Sequence, residues 1–414
     1  MATLRPLRPL RYTERAGPMS ELVAPPYDVI GPEEAARLRA QNEAGAIHVE
    51  LPESRDAAGR YRAAACLLDD WISRSLLARD GEPAMFLYAQ RFTIHGETSE
   101  RWGVLTGLRL ESFDDGIVLP HERTLAGPKA DRMELIRACR TNLSPIFTLV
   151  DASLGLAGLA SSAQPIADFT DRAGVRQRLW RLPDPAALEG LVRKVADEPV
   201  YIADGHHRYE IALAYRNECR ERDGNPKEPQ PYDFVLTHLC STRDPGLVVL
   251  PTHRLLADPP PQAALHSAWE SSCRVTEITD PDRLWTELSS ADARRNGPRV
   301  GVLRRGGPGG LLLETGAGAR EELGRLAPEL AALDVTFLHG VVLPGIPADR
   351  FTYSHDERET IAAVQAGATE LAVLLPPPRV DDVLAISRAR LTMPQKSTYF
   401  YPKVLSGLVY NPLT

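Results

Sequence analysis

Cysteine is scarce and scattered in this chain. The five present are Cys66, Cys139, Cys219, Cys240 and Cys273, with no CxxC spacing. An odd, dispersed set gives no disulfide framework and no CxxC zinc site, and it reads as buried thiols of a reducing, cytoplasmic protein. Long apolar runs are also missing. None reaches the roughly 18 residues of a spanning helix, and the opening MATLRPLRPLRYTERAG has no apolar stretch of signal length. No membrane partner is expected. A basic tract is absent too, and the net charge is −7, so a nucleic-acid partner would find no electrostatic footprint. Finally, GxxxxGK[ST], a strand-linked GxGxxG, GxSxG and HExxH do not occur. The P-loop, the dinucleotide fingerprint, the hydrolase elbow and the zincin helix are excluded with them.

What is present is ordinary globular material: 414 residues, 43% hydrophobic and 25% charged. That length exceeds a usual single domain and predicts two lobes. Residues 1–31 read as extended. PEEAARLRAQ begins a helix with Pro32 at its first position and acids in its first turn, and 57–78 is amphipathic at helical spacing through Tyr61, Ala65, Leu68, Trp71, Ile72 and Leu76. AMFLYAQRFTI and WGVLTGLRLESF flank HGETSER as a hairpin. SPIFTLV is a strand; 151–185 carries little pattern. DPAALEGLVRKVA is a helix capped by Asp184, PVYIAD a buried strand, and HRYEIALAYRNECRER a helix. YDFVLTHLC and GLVVLPTHRL are strands. After the break DPPPQAAL, helices and strands alternate, with GGPGG as a hairpin turn. The expected class is mixed α/β (α+β) in two lobes. Residues 1–256 carry the turn described next, and 257–414 form a second α/β lobe whose C-terminal tail packs back on the site.

The stretch PVYIADGHHRYE concentrates chemistry on one turn between a strand and a helix. First-turn N–H groups lack internal partners and, with the helix dipole, favour an anion. Gly205 permits close backbone approach. His206, His207 and Arg208 add donors, and arginine grips phosphate in bidentate fashion. Asp204 fits beside a phosphate as a Mg²⁺ ligand or proton acceptor. The competing reading is an Asp cap with ordinary polar turn residues.

Four further groups carry suitable side chains. VAPPYDVI holds Asp28 in a proline-stiffened loop, or in a simple Asx turn. HERT followed by GPKADR gathers Glu122, a possible base, with Lys129 and Arg132, or forms a solvated loop. PTHRL places Arg254 at a strand end. MPQKSTYFYPK sets Lys396 among aromatics suited to a base, a phosphate or a lobe interface. In TYSHDE, Ser354 or Asp356 caps a helix.

VAPPYDVI, HERT…GPKADR, ADGHHRYE, LDVTFLHGVVL and MPQKSTYFYPKVLSGLVY together resemble the family catalogued as domain of unknown function 1015, from about residue 5 to 410. The DGHHR box is similar to that of the free-serine kinases in the ParB/sulfiredoxin-like superfamily. The resemblance implies a ParB/sulfiredoxin-like phosphate-binding core. It implies that His206, His207 and Arg208 bind nucleotide phosphates, and that Asp204 is metal ligand or base. The implied reaction is transfer of a phosphoryl group from ATP or ADP, with Mg²⁺, to free L-serine. Asp28 and Glu122 both qualify as the expected N-terminal acid. Gly205, Lys129 and Lys396 would complete the phosphate site, and Arg254 or Arg132 would meet the substrate carboxylate. Alternatives are a ParB-like nucleotide-hydrolysing switch and a non-catalytic phosphometabolite-binding protein.

Overall fold

A computed structural model describes residues 1–414 apart from 55–58, 125, 161–163, 183, 291–296 and 308. It forms two compact units. The first comprises Met1–Pro120, Thr124–Leu247 and Pro402–Thr414; the second comprises His121–Arg123 and Val248–Tyr401. No helix among the described residues is long and apolar enough to cross a membrane.

The first unit is built on a mixed nine-stranded sheet. Its strands are β1 (Leu4–Arg5), β2 (Met85–Ile94), β3 (Glu97–Arg109), β4 (Val118–Leu119), β5 (Ile146–Val150), β6 (Ala167–Thr170), β7 (Arg176–Leu182), β8 (Val200–Asp204) and β9 (Phe234–Ser241). They lie in the order β4-β8-β5-β9-β3-β2-β7-β6, with β1 paired to β3. Successive side chains on a strand point to opposite faces, and here the two faces differ in kind. Val104, Ile146, Val200, Ile202, Val235 and Leu239 belong to one apolar core. It is closed by Leu191 and Val195 of the helix α4 (Pro185–Ala196) and by Tyr209 and Ala212 of α5 (His206–Arg222). The opposite face is also buried and includes polar side chains, Gln90, Arg101, Gln177 and His238, among apolar ones such as Leu105, Phe147 and Leu236.

Asp204 reaches that polar face through a register shift. Ile202 pairs with Thr148, but Asp204 pairs with Phe147, so one residue is bulged between them. A bulge re-aims the following side chain. Without it, Asp204 would follow Ile202 into the apolar core.

The hairpin expected around HGETSER forms, with Ile94 paired to Glu97. Pro32–Gln41 is a helix (α1) with Pro at its start, and Asp184 caps α4 by accepting from the Ala186 N–H. The helix expected over 57–78 is the shorter α2 (Gly59–Ser73); positions 57–58 lie outside the described residues. It stops before Ser75, which has φ of 59°, and Ile72 is exposed rather than in the core. Residues 151–185 are more ordered than their composition suggests. They contain a helix at Leu156–Ala160 and strands β6 and β7. The arginines of RQRLWRL hide a strand that pairs on both sides, with β2 and β6. Among the cysteines, Cys66 is exposed and Cys139 only half-buried, while Cys219, Cys240 and Cys273 are buried; all are free thiols.

The second unit has a six-stranded antiparallel sheet. With β10 (Val248–Leu250) placed elsewhere, its strands are β11 (His253–Leu256), β12 (Cys273–Ile278), β13 (Arg299–Arg304), β14 (Gly310–Thr315), β15 (Thr352–Ser354) and β16 (Leu371–Leu374). GGPGG joins β13 to β14, though Pro308 lies outside the described residues. Asp356 caps the helix Glu357–Gln365, accepting from the Glu359 N–H at 2.9 Å. The aromatics of MPQKSTYFYPK form β17 (Tyr399–Tyr401), which pairs with β10. Tyr399 also stacks on His355 at 3.6 Å between ring centroids.

Candidate functional site

The turn at 204–208 sits where β8 ends and the 17-residue helix α5 begins. Gly205 is the N-cap residue, at φ 90° and ψ 30°, and offers no side chain to cap the helix. That backbone region is costly for any residue with a Cβ. The group closest to the turn is Arg208 itself: a Cβ on Gly205 would lie 3.0 Å from its guanidinium carbon. The glycine thus lets the guanidinium fold back over the turn.

Both oxygens of Asp204 are engaged. Arg208 Nη2 donates to Oδ2 at 2.5 Å and Lys403 Nζ donates to Oδ1 at 2.6 Å. Arg208 Nη1 donates to the Pro145 carbonyl. Burial alone would raise the Asp204 pKa; Lys403 and Arg208, aided by His206, outweigh it and hold the carboxyl well below its usual range. Burial likewise disfavours the Arg208 charge, but Asp204, then Asp28, Tyr27 and Glu50, keep it protonated. Asp204 is therefore a fixed anion between two cations. A metal ion at this carboxylate would stand beside two cations and meet their repulsion. Among the described residues no group of three or more His, Cys, Asp or Glu side chains gathers to hold a metal.

Lys403 arrives on the segment Pro402–Thr414, which straps the polar sheet face. Arg101 Nη2 donates to the Pro402 carbonyl at 2.5 Å, and Gln90 Nε2 to the Lys403 carbonyl at 3.0 Å. Ser406 exchanges backbone bonds with Ala24, as Tyr410 does with Leu10. Arg101 is fully buried, with its guanidinium 4.5 Å from the Phe147 ring centroid. Lys403, Arg101 and Glu50 are functional-site neighbours that sequence reasoning did not single out.

Of the expected residues, Asp28, Arg132, Asp204, Gly205, His206 and Arg208 cluster within the first unit. Asp28 lies in a single 3₁₀ turn, Tyr27–Val29, is exposed, and makes no direct ion pair among the described residues. Arg132, on the helix α3 (Ala126–Cys139), lies with its guanidinium 4.5 Å from the Tyr27 ring centroid. It donates to the Glu50 carbonyl at 2.6 Å and to Asp131 at 2.7 Å. Burial, then the Asp28 charge, push the Tyr27 hydroxyl up to about 12 against the opposing pull of Arg208 and Arg132. His206 is buried and His207 half-buried at the helix start. Lys129 pairs with Glu210 of α5, whose carboxylate also accepts from Thr124 Oγ1 at 2.9 Å.

The others assemble in the second unit. The Glu122 carboxylate accepts from the Lys396 N–H. Arg254 donates to the Lys396 carbonyl at 3.0 Å and to that of Thr252. Burial lowers the Arg254 pKa to about 10, offset in part by Tyr353 and Glu122.

A mixed α/β first unit with a charged strand–glycine–helix turn is thus the setting of the site. The chain belongs to the family described as protein of unknown function (DUF1015), whose pattern matches residues 4–336. No curated protein matches it. Solved structures similar to it include three proteins. A free serine kinase in complex with AMP has 10% identity and a TM-score of 0.37, covering 72% of this chain and 86% of that one. A conserved hypothetical protein from Pyrococcus furiosus has 11% identity and a TM-score of 0.35, covering 73% and 92%. SbnI from Staphylococcus aureus, with a C-terminal truncation, has 12% identity and a TM-score of 0.34, covering 74% and 87%.

Proposed function

We propose that this protein is a small-molecule phosphotransferase that holds nucleotide phosphates at the start of α5 and transfers one phosphoryl group to free L-serine. The observation that carries the reading is the turn itself. A long helix begins at a left-handed glycine with no side-chain cap, and two histidines occupy its first positions. Such a terminus offers directed N–H donors and a positive dipole end to an anion.

In this reading His206, His207 and the helix N–H groups meet the phosphates. Arg208 and Lys403 hold Asp204, and with it the turn, in place. The acceptor hydroxyl oxygen attacks the terminal phosphorus of ATP or ADP. The bond from that phosphorus to the nucleotide's bridging oxygen breaks, and the hydroxyl proton passes to a carboxylate. Asp28, exposed and outside any ion pair among the described residues, suits that role better than Asp204. Mg²⁺ enters such reactions bound mainly to phosphate, with one or two carboxylates. Glu122, Lys129 and Arg254 are held as secondary candidates, each already engaged by a protein partner, and Lys396, whose ammonium lies 5.8 Å from the Tyr353 ring centroid, is a fourth.

Phosphorus NMR with Mg²⁺, L-serine and either ATP or ADP tests the reading. O-phosphoserine should form, and Asp28→Asn should abolish it while leaving nucleotide binding intact. Nucleotide binding without any phosphoserine would overturn the serine assignment. One observation favours a binding protein without turnover: the acid on the turn is fully neutralised by two cations.

A further inference from the structure

One face of the second unit's sheet is left partly open. Leu303 and Leu312 belong to a core with Leu284 and Ile361. Successive side chains on a strand point to opposite faces, so Val302, Arg304 and Leu311 face the other way. There, with His266 and Trp269 of the helix α6 (Gln262–Ser272), they line a hollow of about 170 Å³ that opens to solvent. Trp269 is 2% exposed and fixed in place, its Nε1 donating to the Val342 carbonyl at 2.8 Å.

Arg304 is the anomaly in this lining. Its Nη1 is shut off from solvent and has no hydrogen-bond partner. Among the described residues no carboxylate forms an ion pair with its guanidinium. The arginines around it in sequence and in burial are engaged: Arg305 pairs with Glu370, and Arg208 with Asp204. A buried donor without an acceptor is costly to keep, and a guanidinium is a ready fork for a carboxylate. Glu277 is the one acid among the lining residues. It lies opposite Leu311, which lies opposite Val302, and it is exposed. A second negative charge brought to Arg304 would meet its repulsion. The lining therefore suits one negative charge on an apolar body.

We infer that this hollow binds a small apolar monocarboxylate, with the carboxylate on Arg304 and the hydrocarbon body against Val302, Leu311 and Trp269. The inference is independent of the phosphotransferase reading, because every residue it uses lies in the second unit.

Calorimetric titration of the full chain with phenylacetate, 4-methylpentanoate, acetate, 2-phenylethylamine and phenyl phosphate tests the inference. The two apolar acids should bind. Acetate lacks the body, the amine lacks the anion and phenyl phosphate carries a second charge; each should bind at least tenfold more weakly. Arg304→Gln should weaken phenylacetate by about tenfold or more, the worth of one charge-assisted contact. It should not lower the melting temperature, because the guanidinium holds no partner in the fold. Glu277→Gln, at an exposed position, should leave phenylacetate no weaker and narrow the gap to phenyl phosphate at least threefold. No binding of either apolar acid, binding of phenylacetate unchanged in Arg304→Gln, or the amine binding as tightly as the acid overturns the inference. If Arg304→Gln fails to fold, the arginine serves the fold and the inference falls with it.

Discussion

Replacing Lys403 with methionine removes the charge from the strap and keeps most of the side chain's volume. At 2.6 Å and an effective dielectric constant near 20, the attraction to Asp204 is about 6 kcal/mol before dehydration is counted. Breaking a buried pair costs about 3–5 kcal/mol when the surviving charge is left alone. Asp204 is not left alone, because Arg208 remains at 2.5 Å. The expected loss is therefore about 2 kcal/mol in the first unit at pH 7. Thermal melts of wild type, Lys403→Met, Asp204→Asn and the double variant would give the coupling directly. The pH dependence follows from the depressed Asp204 pKa. Such a group contributes fully above its unfolded value, about 3.9, and the contribution is lost as the pH falls through the lower folded value. The gap between wild type and Lys403→Met should therefore stay constant from pH 8 to 5 and close only under strong acid. A gap below about 0.5 kcal/mol, or one that is unchanged in the Asp204→Asn background, would refute the ion-pair account.

Three other outcomes are expected. Gly103→Ala should destabilise the first unit by about 3 kcal/mol or more, because the new Cβ would lie 2.0 Å from His238 Cε1; shortening His238 to alanine in the same chain should recover part of the melting temperature. Gly205→Ala should cost about 1–3 kcal/mol for the φ of 90° and should weaken ATP binding by displacing Arg208, read by melt and titration together. Ultraviolet titration of wild type against Tyr27→Phe should show Tyr27 ionising near pH 12. Its folded pKa is raised, so its contribution is whole below the unfolded value of about 10 and is lost as the pH climbs to the folded one.

Elements with strong local signals could be read from the chain. Asp184 and Asp356 cap their helices because the cap signal lies within a few residues of the group it satisfies. The hairpin at 85–109 was visible as two patterned runs around a polar turn. The chemistry of 204–208 was visible for the same reason: the residues are adjacent. What could not be read is pairing at a distance. Lys403 stands 199 positions from Asp204, and nothing in YFYPKV separates it from Lys396, which lies instead in the second unit. Glu50 was silent because a glutamate at a helix end is normally a solvated one; only burial makes it unusual. The re-aiming of Asp204 by a bulge leaves no mark in VYIAD at all. Strand β7 was hidden by arginines that pair with Asp168 and Glu100.

The strap has a consequence for how the protein is made. During synthesis the sheet strands of the first unit emerge before residue 248, yet Asp204, Arg101 and Gln90 wait for partners that follow residue 401. The ribosome must produce the whole of 248–401 in between. At roughly 5–20 residues per second, the polar face of the sheet stays uncovered for on the order of ten seconds. Over that interval the nascent first unit has one finished face and one open one. The second unit, nearly continuous in sequence, is free to complete itself first.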